Sequence, residues 1–118
     1  MNQLALIIED DLDLSTIFTE ALIAAGFETE TIRDGLVAQN RLKEIVPYLV
    51  ILDMHLPHVS GMDLLRQMRA RPEQKDVLVV ICTADARMGE ALADEADFVL
   101  IKPITFSQLR DLTKRLKG

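Results

Sequence analysis

Four places in this chain set a reactive side chain directly after a run of apolar residues. Glu9 and Asp10 follow LALII at 4–8, with Asp11 and Asp13 just beyond; Asp53 follows LVIL at 49–52; Thr83 follows VLVVIC at 77–82; Lys102 follows FVLI at 98–101. Crowded carboxylates raise one another's pKa, and no basic residue stands beside the first group in sequence to relieve it. A hard divalent cation would, and an all-oxygen set that leaves room for waters suits Mg²⁺. Asp10 and Asp53 then read as direct ligands, with Glu9 acting directly or through water. A carboxylate beside such an ion is also a nucleophile for phosphoryl transfer, because the cation neutralises charge on the incoming phosphoryl oxygens. Asp53 is that candidate. Lys102 supplies a second positive charge, and the Thr83 hydroxyl a hydrogen-bond donor.

For these residues to meet, the elements carrying them must end at one place. The four apolar runs show no polar alternation, so each reads as a strand buried on both faces, as in a parallel sheet. FETETI at 27–32 does alternate and reads as an edge strand. Between the runs lie helical patterns. Leu14, Ile17, Phe18, Ala21, Leu22 and Ala25 form one apolar stripe, which Gly26 ends as a C′ glycine. A weaker helix is expected over 35–46, a third over 61–70, and a short polar fourth near 87–95. The last opens on Thr105 and Gln108, a capping-box pair, with Phe106, Leu109, Leu112 and Leu116 facing inward. Strand and helix alternate five times, which right-handed crossovers turn into an open, doubly wound α/β sheet. In such sheets the site lies beyond the carboxyl ends of the strands, where all the reactive residues stand.

IIEDD, VILDMHLPHVSG, VVICTAD and LIKP, in that order and near the usual spacings, together resemble the receiver domain of two-component response regulators. The likeness spans essentially the whole chain. Each motif alone is weak, but four in order, each at a strand end, are highly specific. The resemblance implies a single domain over 1–118 with the flavodoxin-like sheet order 2-1-3-4-5 and five helices. It implies that Asp53 accepts a phosphoryl group from a kinase phosphohistidine, or slowly from a small donor, and later loses it to water. Glu9 and Asp10 would be the acidic pair, and the backbone carbonyl of His55 the third protein ligand to Mg²⁺. Thr83 would be the switch hydroxyl, Lys102 the phosphate-binding lysine, and Lys102–Pro103 a cis bond. Implied partners are a histidine kinase or phosphotransfer protein and an output partner or output domain, with a homodimer left open. On this reading the chain is a switch that modifies itself, not an enzyme turning over a separate substrate.

The sequence departs from the pattern in two places. Many receivers carry Tyr or Phe three residues before the lysine; here Val99 stands there, and strand alternation points the neighbouring Phe98 to the opposite face. The stretch from Thr83 to Lys102 is also about one helical turn short, so the fourth helix is expected to be truncated or irregular, and loosely packed.

Plainer roles compete for single residues. Asp11 suits an N-cap better than the acidic site. Asp53 and Thr83 could merely open turns, and Lys102–Pro103 could merely end a strand. His55 and His58 lack a third nitrogen or sulfur partner for zinc and read as loop histidines. Cys82, the only cysteine, has apolar neighbours and reads as an inert packed thiol, consistent with a cytoplasmic protein.

A formal charge of −6 argues against direct nucleic-acid binding, and no apolar run is long enough to cross a membrane. A Mg²⁺-dependent phosphohydrolase is the main rival function, but such enzymes often carry a second acid where His55 stands. A nucleotide or flavin binder would want glycine in the turn after the first strand, which is acidic instead. A receiver-like module that folds but is never phosphorylated remains a third alternative.

Overall fold

The computed structural model describes residues 3–118. Five strands alternate with five helices: β1 (Leu4–Ile8), α1 (Leu12–Ala24), β2 (Glu28–Ile32), α2 (Gly35–Leu42), β3 (Leu49–Asp53), α3 (Gly61–Ala70), β4 (Leu78–Thr83), α4 (Ala86–Leu92), β5 (Phe98–Ile101) and α5 (Phe106–Leu116). The strands form one sheet in the order β2-β1-β3-β4-β5, and every neighbouring pair is parallel. This is the flavodoxin-like order the motifs imply.

The non-alternating runs are explained by what covers the sheet. Leu6, Ile8, Val50, Leu52, Val79 and Ile81 pack on one side with Leu42, Leu64, Leu65 and Met68. Ala5, Ile7, Leu49, Ile51, Val80 and Cys82 pack on the other with Phe18, Leu22 and Leu109. Successive side chains point to opposite faces, so a strand with helices on both sides must be apolar throughout. β3, at the centre, is buried at all five positions.

The FVLI run departs from expectation. β5 lies at the sheet edge, and Phe98 and Ile101 are 39% and 42% exposed rather than buried. An apolar run alone does not tell a central parallel strand from an edge one. Val99 packs on the α2–α4 side and Leu100 on the α1–α5 side.

Helix ends follow local chemistry. Asp11 caps α1 by accepting from Leu14 N, and Gly26 follows with φ +97°. Ile17, expected in the stripe, is exposed, and Ser15 is buried in the first turn instead. The second helix stops at Leu42, four residues short of expectation. The buried Gln74 amide donates to Leu42 O and Ile45 O, Arg71 adds a bond to Leu42 O, and the chain tightens through Glu44 N to Arg41 O. Carbonyls satisfied from outside let the helix end there.

The fourth helix is short, as expected: seven residues, capped by Asp85 through Arg87 N and Met88 N. Its thin apolar content is offset by close approach. A Cβ at Gly89 would stand 2.7 Å from Val99 Cγ1 and 3.4 Å from Thr83 Cγ2. The turn after it is held by Arg69, which donates to Glu95 O and Val77 O and pairs with Asp97 at 3.0 Å. At α5, Thr105 caps Gln108 N, while Leu109 and Thr113 form its fully buried inner face.

Candidate functional site

β1 delivers the acids. Glu9 N donates to Ile32 O at 3.0 Å, which keeps the chain extended one residue beyond the strand. Glu9 is thereby buried at 1% exposure, while Asp10 stays exposed at the rim. β3 ends on Asp53, 3% exposed, opposite Cys82 in the ladder. Lys102 follows β5 and is tied to β4 by its backbone N–H to Thr83 O at 2.8 Å. The Lys102–Pro103 bond is cis.

These ends converge. Lys102 Nζ stands 2.7 Å from Glu9 Oε1 and 3.3 Å from Asp53 Oδ1. Carboxylate oxygens of Glu9, Asp10 and Asp53 lie within 4.8 Å of one another. The contact to Glu9 is close, yet Oε1 is buried with no well-directed hydrogen-bond donor, whereas Asp53 Oδ1 accepts a long bond from Lys102 Nζ. Glu9 Oε2 accepts only a long 3.3 Å bond from Asp11 N. One ammonium thus reaches two of the three carboxylates and leaves a buried oxygen short of partners. That is a fitting donor set for a hard, oxygen-binding cation.

The electrostatics agree. Burial, with a smaller contribution from Asp53, pushes Glu9 up to about 7 against the pull of Lys102. For Lys102, burial works to lower its pKa, but its contacts with Glu9 and Asp53 prevail and the ammonium is held above its usual value. Burial pushes the Cys82 thiol far up, so it is inert, as its neighbours suggested.

Thr83 is fully buried at the end of β4, its Oγ1 accepting from Asp85 N at 3.0 Å. The hydroxyl proton remains available to donate. His55 lies just past β3 with its side chain exposed, and its imidazole is not part of the Glu9–Asp10–Asp53 cluster. Of the residues singled out by sequence, the structure brings together Glu9, Asp10, Asp53 and Lys102. Thr83 sits on the adjacent strand end, and Asp11 stands outside as a cap.

Two glycines that sequence reasoning passed over set the shape of the loop after Asp53. A Cβ at Gly61 would lie 2.1 Å from Asp53 O, and one at Gly35 would lie 1.8 Å from Val59 O. Gly61 N donates to Met54 O and Gly35 N to Pro57 O. Both glycines allow backbone to meet backbone beside the acids. The signal was visible as SG and DG steps at helix starts, but their partners lie far away in sequence.

The family model for the response regulator receiver domain matches residues 5–114. The chain belongs to this family. It is 38% identical over 113 residues to the phosphate regulon transcriptional regulatory protein PhoB of Rhizobium meliloti, covering 93% of this chain and 50% of that protein. It is 33% identical over 109 residues to the DNA-binding response regulator MtrA of Mycobacterium leprae, covering 92% and 48%. The chain therefore spans about half the length of these relatives. A CheY-like receiver domain from Methylobacillus flagellatus superposes with a TM-score of 0.84 at 29% identity, covering 98% of this chain and 99% of that one. Among the described residues, no helix is long and apolar enough to cross a membrane.

Proposed function

We propose that this receiver domain accepts a phosphoryl group on Asp53 from a kinase or phosphotransfer-protein phosphohistidine, in the presence of Mg²⁺, and that the modification switches its binding to an output partner or domain. The observation that carries this reading is the Lys102 ammonium shared between Glu9 and Asp53 beside Asp10. Glu9, Asp10, Asp53 and the His55 carbonyl would hold the ion. Bound there, Mg²⁺ supplies charge neutralisation for the transferring group.

The chain's own residues do the rest. An Asp53 carboxylate oxygen attacks phosphorus as the P–N bond of the donor breaks, and the electron pair leaves with the imidazole. Lys102 moves from pairing with Asp53 to pairing with a phosphoryl oxygen. Thr83 donates its free hydroxyl proton to another. Water later attacks phosphorus and releases phosphate, which returns Asp53 to a carboxylate. The domain acts on itself and turns over no separate substrate. A cytoplasmic setting is in keeping with the family.

Two-dimensional NMR with Mg²⁺ and beryllofluoride, a phosphoryl mimic, tests this. Shifts at Asp53, Thr83 and Lys102 that vanish in Asp53→Asn support the reading. No change in the native protein contradicts it.

A further inference from the structure

The loop between β3 and α3 contains one residue in a backbone conformation that side chains rarely adopt: His58, at φ +71°. Glycine would take this position with least strain. The histidine ring has a partner. His58 Nδ1 lies 2.5 Å from Asp34 Oδ2, across 24 residues of sequence. Asp34 is the N-cap of α2, and its other oxygen accepts from Leu36 N at 2.7 Å and Val37 N at 3.1 Å. One carboxylate therefore grips a helix start with one oxygen and the loop with the other. Its pKa is held below the usual range, chiefly by the Val37 amide, with His58 and Leu36 adding to this against some burial.

The clasp is not explained by stability. The His58 side chain is 66% exposed, and exposed ion pairs contribute little. Its location gives a better account. Gly35 N donates to Pro57 O at 3.0 Å, so a backbone bond lies beside the side-chain one. Asp10 of the acidic group and Asp34 of the clasp line one cleft, together with Arg33, Val37 and Pro57. The same loop carries the His55 carbonyl, three residues before His58.

We propose that His58 is a positioning residue: its ring ties the loop after Asp53 to Asp34 at the start of α2, and so restrains the segment bearing the His55 carbonyl for ion binding. This rests on the Mg²⁺ reading above. Partners one step removed from a metal commonly tune its affinity by orienting the atoms that touch it. His58→Gly separates the clasp from fold stability, because it relieves the backbone and deletes the ring together. His58→Asn tolerates the left-handed backbone and carries an amide donor the same number of bonds from Cα as Nδ1.

Calorimetric titration of the full chain with Mg²⁺ alone, paired with metal-free melting curves, decides the matter. His58→Gly is expected to melt no lower than the native protein yet bind Mg²⁺ about tenfold more weakly, with His58→Asn recovering most of the loss. A native protein that binds Mg²⁺ and a His58→Gly variant that binds it equally overturn the positioning role alone. A native protein that takes up no Mg²⁺ overturns the metal reading and this inference with it.

Discussion

Glu9 carries the sharpest consequence at the scale of single residues. Its pKa rises from an ordinary 4.5 to about 7 in the folded chain, through burial first. Between those values the folded protein holds a proton that the unfolded chain has released. Without metal, stability is therefore lost as pH rises through this window, because the native state binds more protons there. A cation needs the deprotonated form, so its binding should release a proton and grow stronger over the same range. Mg²⁺ should raise the melting temperature more at about pH 7.5 than at about pH 5.5; an equal rise at both would contradict the assignment of Glu9 to the ion. The residue types were legible without coordinates, since acids, a hydroxyl and an amine each follow an apolar run. The clasp between His58 and Asp34 was not. Nothing local marks two residues 24 apart as neighbours, and His58 looked like any loop histidine.

Among the elements, the helices and strands that read correctly were those whose signals are local. Asp11, Thr105 and Gly26 mark their helix ends in sequence as they do in space. The second helix ended early because Gln74, more than thirty residues away, takes its last carbonyls. β5 was misread because edge position depends on the whole sheet order. α4 is the shortest of the five helices, at seven residues. Gly89 brings the helix backbone close against the Val99 and Thr83 side chains, so a ring at position 99 turned toward α4 would press on it. Val99→Phe should therefore overpack this seam and cost about 1–3 kcal/mol, read by denaturant unfolding. A variant as stable as the native chain would mean that α4 yields easily. The same closeness gives a route from the site to the surface that needs no swinging aromatic side chain: a Thr83 drawn toward a phosphoryl oxygen would act directly on the α4 backbone.

Over the whole molecule, the sheet separates two tasks. Its two buried faces hold the fold, with each fully buried leucine or isoleucine contributing about 1.5–3 kcal/mol, far more than any surface ion pair. That surplus tolerates a repulsive acidic edge at the strand ends. The chain spans half of PhoB and MtrA, relatives named as transcriptional or DNA-binding regulators. Its own charge of −6 does not suit DNA. The proposed function asks the receiver by itself to take up the phosphoryl group, and intact mass followed by site mapping after incubation with acetyl phosphate measures that directly. One phosphoryl adduct is expected, located on Asp53, formed with Mg²⁺, not formed when a chelator is present from the start, and absent from Asp53→Asn. An unmodified mass with Mg²⁺ present, or an adduct mapped to any other residue, would contradict it.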